Sequence, residues 1–128
     1  MKIFLVSLVL VFSHFLYASE AEVFCTSSNS ICAQVQPEKP FTSNGENKFV
    51  LTITSSKSDL VELTKLDLWM DMGGHGHSSS PVKITKIQDN VYAVSKAFFV
   101  MQGSWLIRLK VSQNAVIESI TIPVEIDN

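Results

Sequence analysis

The sequence predicts an all-β fold, an immunoglobulin-like antiparallel β-sandwich of about seven strands, and two observations support this prediction. First, apolar and polar residues alternate through several segments, which is the period of a half-buried strand, and no segment sustains the 3.6-residue stripe of a helix. Second, turn-forming residues separate these segments at short intervals. A small closed barrel is the alternative architecture.

The alternation places the strands in order along the chain. The predicted strands are 31–36, 49–54, 66–72, 91–100, 105–111 and 120–126. Asp89-Asn90 and Gln113-Asn114 are predicted hairpin turns, because each pair of turn-forming residues lies between two apolar segments. The glycine- and serine-rich segment 73–81 is predicted to be a loop.

The first 18 residues have the layout of a secretory signal peptide. Lys2 precedes an apolar run over 3–16, and the small residue Ala18 follows it. The run is shorter than the roughly 20 residues that cross a bilayer, so we expect cleavage, with an uncleaved anchor as the alternative. The remaining 110 residues suffice for one domain. The expected organisation is a signal peptide (1–18), an N-terminal segment (19–40) and the sandwich domain (41–128).

The two cysteines of the chain lie close together in the N-terminal segment. Cys25 and Cys32 flank a polar, turn-forming run over 26–30. In an oxidising compartment such a pair most simply closes a small disulfide loop. A pair of free thiols and a soft metal site are the alternatives.

A group of methionines and histidines is the most distinctive feature of the chain. Met70 and Met72 share one face of a predicted strand, which runs into a glycine-rich loop that carries His75 and His77. Thioether and imidazole ligands together suit copper, Cu(I) above all. Glycines around the histidines let both imidazoles converge on one ion. Met101 ends another strand, and loops from different strands meet at one pole of a sandwich, so we expect it to complete the copper site.

Each of these residues also has a purely structural interpretation. Met70 and Met72 lie on the face of Leu66 and Leu68, where methionine often fills a core. Histidines in a loop of glycine and serine are often simply solvated. Trp69 lies on the opposite face of the strand, where we expect it to cap an edge of the sheet.

Charge and composition argue against two other classes of function. The formal net charge of −2 and the absence of a Lys/Arg cluster make the chain a poor candidate for nucleic-acid binding. No catalytic constellation is evident, because the serines at 78–80 have histidines nearby but no third group to orient a base. A hydrolase is therefore a distant alternative. Few further ligands lie near the loop, which favours copper binding or delivery over redox turnover.

Four motifs in order carry a resemblance to a known family. They are Met-Asp-Met-Gly-Gly-His-Gly at 70–76, Pro81-Val82, Tyr92, and Phe-Val-Met-Gln-Gly-Ser-Trp at 99–105. With these motifs, residues 66–109 resemble the YtkA-like domain family, which is related to the periplasmic domain of FixH proteins. The chain departs from the family pattern by an extra glycine between Met72 and His75.

The resemblance implies an immunoglobulin-like sandwich in the bacterial cell envelope, periplasmic or secreted, with a part in copper handling or cytochrome oxidase assembly. By position it implies functional roles for Met72, His75 and Met101, to which Met70 and His77 are local additions. The expected partners are a copper ion and an envelope copper-accepting protein or oxidase, with no membrane span once the signal is cleaved. The alternative is a structural or protein-interaction module without metal.

Overall fold

Two antiparallel sheets face each other in the computed structural model, which describes residues 21–57 and 60–127. These residues contain no helix that could span a membrane. The predicted signal peptide lies outside the described residues. The strands are β1 (Val23–Cys25), β2 (Ile31–Pro37), β3 (Asn47–Ser55), β4 (Glu62–Asp71), β5 (Gly76–Ser78), β6 (Lys83–Gln88), β7 (Val91–Ala97), β8 (Gly103–Gln113) and β9 (Val116–Ile126).

The strand order confirms the predicted immunoglobulin-like sandwich. One sheet has the order β1-β2-β3-β7-β6 and the other the order β5-β4-β8-β9. In immunoglobulin folds one sheet is ordered A-B-E-D and the other contains C, F and G. Strands β2, β3, β7 and β6 match the first set in order, and β4, β8 and β9 match the second. In addition, the short strand β1 forms one edge of the five-stranded sheet, and the short strand β5 forms one edge of the four-stranded sheet.

The structure has nine strands in its described part, against the expected seven or so. The predicted strand 91–100 is too long, since β7 ends at Ala97. Just before that end Lys96 has a positive φ of 53°, outside the β region, where the pairing of β7 with β3 is interrupted by a register shift. Every residue of edge strand β6 is exposed, and the strand contains a bulge, so its sequence shows no clear alternation of apolar and polar residues. The predicted loop 73–81 contains strand β5, which is described below.

Turn-forming residues determine where the β6–β7 and β8–β9 hairpins reverse direction. Gln88 pairs with Val91 across Asp89-Asn90, as predicted. The turn between β8 and β9 lies one residue later than predicted, at Asn114-Ala115. Both of these residues have positive φ, of 52° and 63°, which a type I′ turn requires.

The predicted disulfide is present and staples the first hairpin. Cys25 and Cys32 are direct partners in the pairing of β1 with β2, and their sulfur atoms are bonded. Between them, the amide of Thr26 donates to the carbonyl of Ile31 over 2.9 Å. Strand β2 then pairs along its whole length with β3, which ties this hairpin to the five-stranded sheet.

The hydrophobic core lies between the sheets and becomes aromatic at one pole. In β3 and β8 every second residue is buried, and each such aliphatic side chain stabilises the fold by roughly 1.5–3 kcal/mol. At the pole where β4 ends and β8 begins, the ring of Phe99 contacts Phe41 in a tilted arrangement and Trp105 edge to face. Their centroids are separated by 5.2 Å and 5.4 Å. The candidate site lies at this pole.

Candidate metal site

Strands β4 and β5 form a hairpin that closes on the two-residue turn Gly73-Gly74. The amide of Met72 donates to the carbonyl of His75 over 2.8 Å, which closes the turn. The two glycines have φ values of 67° and 98°. Positive φ at both central positions is the requirement of a type I′ hairpin turn, and glycine meets it without steric cost. The segment expected to be a loop is therefore a tight turn followed by a strand.

The register of this hairpin places four donor side chains on one face. Met70 pairs directly with His77, and Met72 lies across the turn from His75. Because side chains two residues apart point to the same face of a strand, both pairs share a face. Directly opposed Cβ atoms are about 4.5–5.5 Å apart in such pairs. The two imidazole rings lie 6.2 Å apart, nearly perpendicular to each other. We call these four side chains the donor face.

The donor face begins at the core and ends in solvent. Met70 pairs with Trp105 of β8, which is buried, so the donor face continues the inner side of the four-stranded sheet. Met70 itself is half-buried and packs against the core. Its Cε would lie only 3.2 Å from a Cβ added to Gly103. Met72 is 41% exposed. Met70 is therefore held by packing, while Met72 and both histidines remain accessible.

Met101 reaches the same pole from the connection between β7 and β8. Its carbonyl accepts a hydrogen bond of 2.9 Å from Nε1 of Trp105. Because Trp105 is also the partner of Met70, this bond holds the connection beside the end of the hairpin. The Met101 side chain is 50% exposed. The structure thus brings all five predicted residues to one end of the sandwich, with four on a single hairpin face.

Trp69 lies behind the hairpin, on the face opposite the donors. A Cβ added to Gly76 would lie 2.6 Å from Nε1 and Cε2 of the Trp69 ring, and closer still to the carbonyl oxygen of Met70. Only glycine fits at this position. Packing of an aromatic ring over an edge glycine is a known way to pin a strand. Trp69 therefore caps the edge of the sheet, as expected, and does not cover the donor face.

An ion pair holds Trp69 from its other side. The guanidinium carbon of Arg108 lies 4.2 Å from the centre of a Trp69 ring. The same guanidinium donates from Nε and Nη2 to the two carboxylate oxygens of Asp67, over 2.8 Å and 2.6 Å. These hydrogen bonds from Arg108 lower the pKa of Asp67. Asp67, Arg108, Trp69 and Gly76 form a continuous layer behind the hairpin, which we call the back layer.

The donor set fits a soft monovalent ion. Two thioethers and two imidazoles suit Cu(I), whereas hard cations require oxygen ligands. In residues 21–57 and 60–127, no group of three or more His, Cys, Asp or Glu side chains could hold a metal ion. The nearest carboxylate in sequence, Asp71, accepts a hydrogen bond from the amide of Gly73 over 3.2 Å and belongs to the opposite face. The Asp71 carboxylate therefore does not share the donor face of the hairpin.

Three features of the site were not predicted from the sequence. The Gly-Gly pair between Met72 and His75 is typical of a type I′ hairpin turn. Such a turn predicts that the residues after it, as far as His77, pair with strand β4. Gly76 could have been read as the residue that Trp69 overlies only if the register were known. The contact of Gly103 with Met70 depends on the tertiary fold and leaves no local signal.

Comparison with known proteins identifies the family of the chain. The YtkA-like family matches residues 27–110, which include every residue of the donor face and Met101. This match confirms the resemblance inferred from the motifs. No curated protein and no solved structure matches the chain. The chain belongs to the YtkA-like family.

Proposed function

We propose that the protein is an exported, non-catalytic copper-binding protein that buffers or delivers copper in the bacterial cell envelope, for example for oxidase assembly. The observation that carries the proposal is the register of the β4–β5 hairpin, which aligns Met70 with His77 and Met72 with His75 on one face. Four neutral donors in that arrangement match the ligand preference of Cu(I). Met101 is a further ligand from the neighbouring connection.

Exposure of the donors supports delivery rather than permanent storage. Met72 is 41% exposed, and both histidines are exposed. An ion held there is open to attack by the ligands of a partner, so it can be transferred by ligand exchange. The buried side of the site, formed by Met70 over Gly103, stays in place during such an exchange because it is held by packing.

Two features support a location outside the cytoplasm. The disulfide between Cys25 and Cys32 is the kind of bond that persists in oxidising compartments. The N-terminal 18 residues have the charge and hydropathy of a secretory signal. Both features support a location in the cell envelope.

A competition titration tests the copper proposal. Residues 19–128, which contain all nine strands of the described part of the chain, are titrated with Cu(I) against a colorimetric chelator. We expect one tight equivalent, lost in the His75→Ala/His77→Ala variant with an unchanged circular dichroism spectrum. Ser78→Ala is the matched control, because Ser78 lies on the same strand and faces away from the donors. Absence of stoichiometric binding in the unmodified protein would refute the proposal.

A protein-interaction module is the second candidate. Val100 and Met101 are 67% and 50% exposed at the same pole as Met72, and exposed apolar residues close together are typical of contact surfaces. Under this function the protein binds no copper. A partner captured by the unmodified protein and lost on Val100→Asp, in protein shown to bind no copper, would favour it.

A further inference from the structure

We propose that Met72 is a site of reversible methionine oxidation, and that oxidation of its sulfur by a peroxide switches off the donor face. The modification itself depends only on the burial of the methionines. Its effect on copper rests on the proposed function. The two parts can therefore be tested separately.

Burial divides the three methionines of residues 19–128 into two classes. Met72 and Met101 are 41% and 50% exposed. Met70 is half-buried against the core, and its Cε lies close to Gly103. Oxidation needs an oxidant to reach the sulfur, so it follows exposure. The exposed methionines should therefore be oxidised before Met70.

The reaction is a two-electron oxygen transfer. The thioether sulfur of Met72 attacks one oxygen of hydrogen peroxide, the O–O bond breaks, and an S–O bond forms. The displaced hydroxide takes the second proton of the peroxide and leaves as water. Sulfur is oxidised by two electrons and the peroxide is reduced by two, so methionine and hydrogen peroxide give methionine sulfoxide and water.

The protein with methionine sulfoxide at position 72 keeps its fold but loses the thioether that would bind copper. A sulfoxide is polar and has no free thioether sulfur, so it is a poor ligand for a soft ion. The turn that carries Met72 is closed by a backbone hydrogen bond to His75 and by two glycines, none of which involves the thioether. The exposed side chain can carry the added oxygen without disturbing the core. Methionine sulfoxide reductases reverse the change.

The first experiment measures the order of oxidation without metal. Metal-free protein is treated with hydrogen peroxide, quenched at intervals, digested and analysed by mass spectrometry. We expect sulfoxide at Met72 and Met101 several-fold sooner than at Met70. The denatured protein is the control, because its three methionines should react at similar rates. Equal rates for Met70 and Met72 in the folded protein would overturn the proposed site.

The second experiment measures the effect on copper. Cu(I) affinity is measured for the unmodified protein and for Met101→Leu, in which Met72 is the one well-exposed methionine of the described residues. Because Met101→Leu removes a proposed ligand, each protein is compared with its own unoxidised form, after oxidation and after treatment with methionine sulfoxide reductase. We expect oxidation to weaken binding by about tenfold or more and the reductase to restore it. Unchanged affinity of the oxidised protein would overturn the switch while leaving the copper function intact. If the unmodified, unoxidised protein binds no Cu(I), the proposed function fails and the switch fails with it, whatever the order of oxidation.

Discussion

The substitution Gly76→Ala adds one methyl group at the point where the hairpin has least room. The new Cβ would lie 2.6 Å from the indole of Trp69, whereas ordinary van der Waals contact begins near 3.4 Å. It would also collide with the carbonyl oxygen of Met70, which is backbone and cannot rotate away. Strand β5 must therefore move away from β4 by roughly 1 Å or more, or separate from it.

The size of the effect follows from the length of β5. Overpacking of a fixed core typically costs about 1–3 kcal/mol. Here the strain can be relieved by separating a three-residue edge strand, and each backbone hydrogen bond lost costs about 0.5–1.5 kcal/mol. We therefore expect a loss of about 1–2 kcal/mol in the free energy of unfolding. For a domain of this size that corresponds to a fall in Tm of about 4–10 °C.

Two measurements check this prediction. Urea unfolding monitored by tryptophan fluorescence gives the loss of stability, and amide hydrogen exchange at Met72 reports the bond that closes the turn. Ser78→Ala is the control, since it changes the same face of the same strand and adds no atom. If Gly76→Ala keeps the stability and the Met72 protection of the unmodified protein, the close packing of Trp69 over Gly76 is wrong. The same variant should also weaken Cu(I) binding if the donor face is the copper site.

Three further predictions concern stability. Arg108 lowers the pKa of Asp67 in the folded state, so the ion pair stabilises the protein above the unfolded pKa of about 3.9, and this contribution is lost as pH falls through the lower folded value. In urea unfolding, Asp67→Asn should therefore lower the free energy of unfolding by up to about 1 kcal/mol at pH 7 and by less at pH 2.5. An equal loss at both pH values would contradict this prediction. Replacing Cys25 and Cys32 by serine should cost about 2–3 kcal/mol, because the bond closes a short loop in the unfolded chain, and calorimetry of the oxidised protein and the variant measures the difference. Trp105→Phe removes the hydrogen bond from the indole to the carbonyl of Met101 and should lower the free energy of unfolding by about 1 kcal/mol or more. Amide hydrogen exchange in the connection 98–102 should become faster. Unchanged exchange there would show that this hydrogen bond does not hold the connection in place.

The sandwich was predictable because the period-2 pattern is strong wherever a strand has one buried face. Leu51 of β3 and Ile107 of β8 are fully buried between exposed or half-buried neighbours, so the alternation identifies their strands. The same alternation placed Met70 and Met72 correctly on one face. It failed for β6, whose residues Ile84 and Ile87 are exposed, because an edge strand with a bulge has no buried face to maintain the pattern.

The site was predictable in composition but not in geometry. Sequence reasoning singled out the five residues that the structure brings to one pole, because methionines and histidines this close together are unusual. It treated Gly73 to Gly76 as a run that permits bending. In the structure these glycines have separate roles, since Gly73 and Gly74 form the turn through positive φ while Gly76 makes room for Trp69. The second role depends on a contact across the ladder, which a reading of local pattern cannot supply.

The two faces of the hairpin explain how a site can be both exposed and ordered. If the exposed donors lay on a mobile segment, binding would have to order both their side chains and the backbone. The conformational entropy lost by one long side chain alone costs up to about 2 kcal/mol. Here the backbone is fixed independently of any ion, by the Gly73-Gly74 turn on one side and by the back layer on the other. Met70 is also fixed by packing, so binding must order mainly Met72, His75 and His77. If the donor face is the proposed copper site, the back layer lowers the entropic cost of Cu(I) binding without covering the donors, and disruption of it should weaken that binding even though none of its side chains lies on the donor face.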